Sequence, residues 1–360
     1  MRYLVLTVDY EIFGNGTGDV RQHIIDPTER MARICQQYDF PLTVFFEAEE
    51  YVAFRENAAR LRKDLGYDPA ALIRQQIVSL LRQGHDVQLH LHPEWYGARY
   101  EAGTWLLHPG KKTVDSLFET QAEVTNYIAS RKALIDEIVA QASSLQQVRA
   151  YRAGAFSAQP GQKLLPALSE NGFIIESSVV KGLHNAGQGF DYKSAPSSKG
   201  PWRISQDVIR EDPTGPLWEF PIYSVMGRRF QQLTFDRLRA KFSRTVPREK
   251  QRELIAQLGI RPRNPLSLLK FLWQPVPLKL DYHNISAKKL MRWINNAPKP
   301  ADRSPDVVTL IGHTKEHIDD RELGKLLRGI ARESDFKVIS LTALAKSLAT
   351  KDVNLAVTQA

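Results

Sequence analysis

Short apolar, β-branched runs alternate with helical stretches along most of this 360-residue chain, and that alternation limits the possible folds more than any other feature. The runs at 2–8, 42–46, 87–92, 148–151, 173–178, 217–222 and 307–311 read as buried strands, with a last one at 336–340. Between them, 26–37 reads as a helix with Asp26 as N-cap and Pro27 in its first position. Residues 69–83 are amphipathic and stop at Gly84, 114–142 are helical in composition, and 161–171 close at Gly172. Strands separated by helices imply parallel pairing with helical crossovers. Seven or so such units predict a barrel.

Ionisable residues sit at the end of strand after strand: Asp9, Glu11, Glu47, His90, His92, Arg152 and His313. In α/β barrels the active site lies at the C-terminal ends of the strands. Asp9 and Glu11, two apart on a strand, present two carboxylates to one side. Two close carboxylates repel unless a cation or a proton lies between them; solvated acids at a strand end have the same pattern. His90 and His92 also share a face, and paired imidazoles at this spacing suit zinc and related ions. Arg152, before a small-residue turn, can hold a carboxylate bidentately or form an ordinary salt bridge. His313 follows an apolar strand and Gly312, and suits either a general acid or a strand-end cap. His85 reads as structural, and His317 as outside the immediate site. Gly14, Gly16 and Gly18 follow a strand, but their spacing is not the dinucleotide fingerprint, and no helix opens at once.

Taken in order, these segments (TVDYE at 7–11, HLHPE at 90–94, YRAGAF at 151–156, IGHTKEH at 311–317) resemble the polysaccharide deacetylases, the family of the NodB homology domain. PLTVFF at 41–46 and GFIIESSV at 172–179 resemble supporting strands of that family. The resemblance implies a distorted seven-stranded β/α barrel and metal-dependent removal of an N-acyl group, usually from an amino sugar. It implies Asp9 as catalytic base, Arg152 as the residue that orients it, His313 as general acid and His90 as a metal ligand. Two positions depart from the family pattern. The usual adjacent acidic pair is here Asp9-x-Glu11, which makes Glu11 the expected metal carboxylate. The usual second histidine position holds Glu94, so His92 is expected as the third ligand, with Glu94 as its competitor. The expected cofactor is a divalent ion, zinc first.

The formal net charge is +9, and its distribution is uneven. Residues 228–263 hold eleven Lys/Arg against three Asp/Glu, so the rest of the chain is close to neutral. Residues 228–280 break the strand–helix rhythm and read as a basic, mostly helical insertion within a single barrel spanning 1–360. With the apolar residues around Phe271 and Trp273, segment 228–273 is expected to contact an anionic membrane, or else to form a solvated helical face. The expected substrate is a saccharide or glycolipid, such as a lipopolysaccharide or surface-polysaccharide precursor; no nucleic-acid module is recognisable. One cysteine, Cys35, excludes an internal disulfide and a multi-cysteine zinc site. No apolar run approaches membrane-spanning length, so a soluble cytoplasmic protein, peripheral at the inner membrane face, is expected.

Overall fold

A computed structural model describes residues 1–108, 110–232, 265–300 and 305–348. Its main sheet contains β1 (Arg2–Tyr10), β2 (Leu42–Glu47), β3 (Asp86–Leu91), β4 (Ala150–Ala153), β5 (Ile175–Glu176), β6 (Trp202–Ile204), β7 (Leu217–Glu219), β8 (Val307–His313) and β9 (Phe336–Val338). Eight of these run in the order β6-β7-β5-β4-β3-β2-β1-β8, and β9 pairs with β1. Every pairing is parallel except β6 with β7. Helical crossovers account for the pairs from β1 to β5, because parallel neighbours need a long return connection, whereas the parallel pair β5 and β7 is joined by residues 177–216 without a helix.

The expected distorted seven-stranded β/α barrel is met in part: the strands form a curled sheet of nine. Beyond its last ladder, among the described residues, isolated bridges continue the curl, from Ile222 to Thr309 and from Asp281 to Ile311. Prolines at 221, 275 and 277 lie in this region and cannot donate to a ladder.

Strand β1 is buried along its whole length apart from the half-buried Tyr3, as a near-continuous apolar run in the middle of a parallel sheet should be. Its alternate residues feed two cores. Leu4, Leu6 and Val8 join the large cluster under the helices. Val5 joins Phe45, Ala150, Ile175 and Phe220 on the other face, together with Leu341, Leu344 and Leu348 from the C-terminal helical turns. Asp86 and Thr342 tie that closing segment to β3, with Thr342 Oγ1 donating to Asp86 Oδ1 at 2.7 Å.

Local signals set the helix ends. Asp68 accepts from the Ala71 N–H at 3.0 Å and opens the helix Pro69–Arg82. The helix expected from residue 114 starts only at Gln121, where Thr120 and Glu123 form a capping box. Asp26 is not an N-cap: a π-helical turn, Arg21–Ile25, runs into the helix Asp26–Gln36 and leaves Asp26 with helical backbone angles. Where the chain enters and leaves the expected insertion, Ser224–Arg228 and Pro275–Lys279 form an antiparallel hairpin beside a helix, Pro265–Trp273. Within 228–280 the described residues are helical at Arg229–Gln232 and Pro265–Trp273 and strand at Arg228 and Pro275–Lys279, and the basic run over 233–263 lies outside the described residues.

Candidate active site

Register gathers the site. Asp9 lies opposite His313 across β1 and β8, His90 opposite Arg152 across β3 and β4, and Glu47 opposite His90 across β2 and β3. Parallel strands place all these C-terminal ends on one side of the sheet.

Arg152 is fully buried, and its Nη1 donates to Asp9 Oδ1 at 2.7 Å and to Thr7 Oγ1 at 2.9 Å. Its Nε donates to the Ser177 carbonyl at 2.8 Å, and its guanidinium lies 4.0 Å from the Phe45 ring centroid. The arginine therefore has a fixed geometry before it meets Asp9. Burial pushes the Asp9 carboxyl up, but Arg152, His90 and His313 together outweigh it and hold it below the usual range. His313 Nε2 stands 3.5 Å from the other oxygen, Asp9 Oδ2. Burial and the nearby Lys279 lower the His313 pKa, against the pull of Glu316, Asp9 and Glu11.

Glu11, His90 and His92 converge, with one ligand atom from each within 4.8 Å of the others. Glu11 Oε2 lies 2.7 Å from His92 Nε2 and 3.3 Å from His90 Nε2. Despite that approach His90 Nε2 is buried without a hydrogen-bond partner, while Nδ1 bonds the Arg152 carbonyl at 2.9 Å. That anchor leaves Nε2 as the outward nitrogen, the arrangement metal-binding histidines use. Two imidazoles and a carboxylate suit a zinc-type ion with room for a further ligand. The donor set therefore fits a divalent ion. Burial resists a charge on His92, but Glu11 overcomes it and raises the imidazole well above its ordinary pKa. Glu94 stands behind His92, with Oε1 3.5 Å from Nδ1, and is not part of the convergent group. Gly154 makes room for the ring: a Cβ there would lie 2.5 Å from His92 Cγ and 2.7 Å from the Leu91 carbonyl.

Of the groups that hold this cluster in place, the sequence placed Glu47 at a strand end but did not single out Glu50 or Lys315. Glu47 accepts from the His92 N–H at 2.7 Å, and Glu50 from the Ile12 N–H at 3.0 Å, so two buried carboxylates brace the segments carrying His92 and Glu11. Burial, then Glu11, pushes Glu50 up to about 8. Lys315 Nζ lies 3.0 Å from Glu11 Oε1 and donates to the Ile12 carbonyl at 3.1 Å. Burial pushes the Glu11 carboxyl up, but Lys315 and His92 hold it well below the usual range. The Lys315 signal was its spacing, two residues after His313; Glu50 lies in a helix with no visible pattern.

Next to His313, Asp281, His283 and Glu316 form a second convergent group. Its donors are engaged within the protein. Asn284 Nδ2 donates at 2.7 Å to both Asp281 Oδ2 and Glu316 Oε2, and the His313 N–H donates to His283 Nδ1 at 3.1 Å. His317, as expected, does not face the ion site; its nitrogens lie 3.1 Å from His283 Nε2 and 2.8 Å from Asp320 Oδ1. His85 accepts from the Leu42 N–H at 3.1 Å, in keeping with a structural role. Residues 15–18 of the glycine loop line a cavity of about 410 Å³ with Phe54, Tyr100 and Trp105.

No family model matches the chain, and no curated protein sequence does. Among solved structures it is similar to one described as a "putative polysaccharide deacetylase from Mycobacterium smegmatis", with 12% identity over 97% of this chain and 91% of that one, at a TM-score of 0.46. It is also similar to a 4-alpha-glucanotransferase from Thermococcus litoralis, with 12% identity over 96% of this chain but 40% of that one, at a TM-score of 0.48. Neither likeness bears on the chemistry of the site.

Proposed function

We propose that this chain is a metal-dependent hydrolase that removes an N-acyl group from an amino sugar of a saccharide or glycolipid. One observation carries the reading: a fixed Arg152–Asp9–His313 line lies beside a buried Glu11–His90–His92 donor set. Glu11, His90 and His92 would hold the ion, with zinc the best match to two nitrogens and one oxygen. A bound divalent ion supplies Lewis acidity and makes water acidic enough to attack near neutral pH.

The chain's own residues then move one proton. Asp9, ionised and held by Arg152, accepts it on Oδ2 as the water oxygen bonds to the acyl carbon. Across the 3.5 Å gap, His313 Nε2 takes that proton from Asp9. The imidazole delivers it to the amide nitrogen as the C–N bond breaks, giving a free carboxylic acid and an amine. His313 thus starts neutral, in keeping with its lowered pKa, and becomes the acid during the reaction.

The test is acyl release from a panel of N-acylated amino sugars and simple amides, with and without a chelator. Metal-dependent release from the sugars is expected, as is its loss in Asp9→Asn. Release that survives complete metal removal would sink the mechanism. A second reading rests on Lys315, which with His92 already neutralises Glu11 without an ion. On that reading the fold is a silent saccharide-binding module, and the purified chain would take up no divalent ion even after loading.

A further inference from the structure

Four of the ten large apolar side chains left exposed among the described residues lie on the hairpin, on the helical turn Arg229–Gln232 that follows its first strand, and on the helix that interrupts the sheet. They are Met226 (67% exposed), Phe230 (36%), Leu269 (58%) and Trp273 (56%). The helix Pro265–Trp273 reads PLSLLKFLW, with Lys270 its only charged residue. A helix this rich in apolar residues ordinarily buries them in a core or in lipid. Here it packs on the hairpin tip: Phe230 stacks on Trp273 at 5.0 Å between centroids, and Arg228 donates to the Trp273 carbonyl at 2.8 Å. The outer sides of Leu269 and Trp273 remain in water.

The direction of this projection follows from the backbone. Residues 222–228 continue past a parallel bridge between Ile222 and Thr309 of β8, towards the strand ends that carry the candidate site. Five residue pairs, Ser224 with Lys279 through Arg228 with Pro275, carry the hairpin outward by about 15 Å. At its base, Lys279 lies 4.9 Å from the Phe156 ring centroid, in the turn after Arg152. The apolar tip therefore stands on the side of the sheet where the strand ends carry the candidate site.

Charge identifies the partner. Exposed Arg228 and Lys270 flank the apolar residues, and the sequence from 228 to 263 carries an excess of eight positive charges. Aromatic and aliphatic side chains beside basic ones match the boundary of a bilayer with anionic headgroups. No described helix is long and apolar enough to cross a membrane, so the contact would be peripheral.

We infer that the hairpin–helix tip docks this protein on an anionic lipid surface through Met226, Phe230, Leu269 and Trp273, with the site facing the membrane. This surface stands independently of the proposed reaction. Co-sedimentation of the full chain with phosphatidylcholine vesicles, with and without phosphatidylglycerol, tests it. Binding is expected to the anionic vesicles only, and to weaken as salt rises. The pair Leu269→Glu and Trp273→Glu should weaken it roughly tenfold or more, because two apolar groups no longer enter the interface. If that variant misfolds, Trp273→Phe gives a second readout: vesicles should blue-shift the wild-type fluorescence and shift this variant's less. No binding at low salt would overturn the inference. So would equal binding by wild type and a folded double variant, or self-association through these residues in its place.

Discussion

The Arg152–Asp9 pair can be measured as a coupling. Both groups are buried, and Asp9 faces one arginine nitrogen at 2.7 Å. With charge centres about 4 Å apart and an effective dielectric constant near 20, their attraction is about 4 kcal/mol. Arg152→Met strands the Asp9 charge and should cost about 3–5 kcal/mol of stability. Asp9→Asn should cost less, about 1–3 kcal/mol, because Arg152 keeps Thr7, Ser177 and the Phe45 ring. If Arg152 is there to hold Asp9, the double variant costs less than the sum of the singles by about 2–4 kcal/mol. Urea unfolding of the four proteins at pH 7 provides the values, with unchanged m-values required for the comparison. A chelator should be present throughout, so that no added cation compensates Asp9. Additivity within about 0.5 kcal/mol would refute the reasoning. Arg152 would then be held by Thr7, Ser177 and Phe45 for the sake of the sheet, and its approach to Asp9 would be incidental.

Three further outcomes are expected. His92→Ala should weaken zinc binding at least tenfold, as loss of one of three protein ligands implies, while Glu94→Ala should weaken it less; calorimetry with zinc decides, and the reverse order would make Glu94 the ligand. Gly154→Ala should also weaken zinc binding although it removes no ligand, because the new Cβ displaces the His92 ring; unchanged affinity would show that the ring is not held there. His85 is buried, and burial lowers it from an ordinary 6.5 to about 4, so the folded chain keeps it neutral while the unfolded chain protonates it. Its contribution is complete above pH 6.5 and lost as pH falls towards about 4, an effect of about 3 kcal/mol. Urea unfolding of His85→Asn should show a flatter acid side than wild type, and an unchanged slope would rule His85 out.

Much of this molecule is legible in its residues. The apolar run before Asp9, the run before His90 and the run before His313 are long enough and sufficiently β-branched to be strands without help from a partner. Their polar ends follow directly, since the strand continues until it meets the mouth of the sheet. Helix boundaries were less legible. Thr120 and Glu123 mark a start only because their side chains bond the backbone there, and composition had extended that helix back to 114. Asp26 had an N-cap's chemistry, but a π-helical turn had already begun before it.

What the sequence determined is the list of chemical groups and the side of the sheet on which they gather, because parallel strands joined by helices all end on one side. It could not determine register, which rests on packing between strands far apart in the chain. Register puts Asp9 across from His313 and His90 across from Arg152. The tertiary structure also decided between His92 and Glu94 as the group that faces Glu11, since the outcome depends on a Glu47 carboxylate from another strand holding the His92 backbone. It brought in Lys315 and Glu50, whose roles exist only once distant segments meet. And it left Leu269 and Trp273 outside every core, an exposure that an apolar sequence by itself argues against.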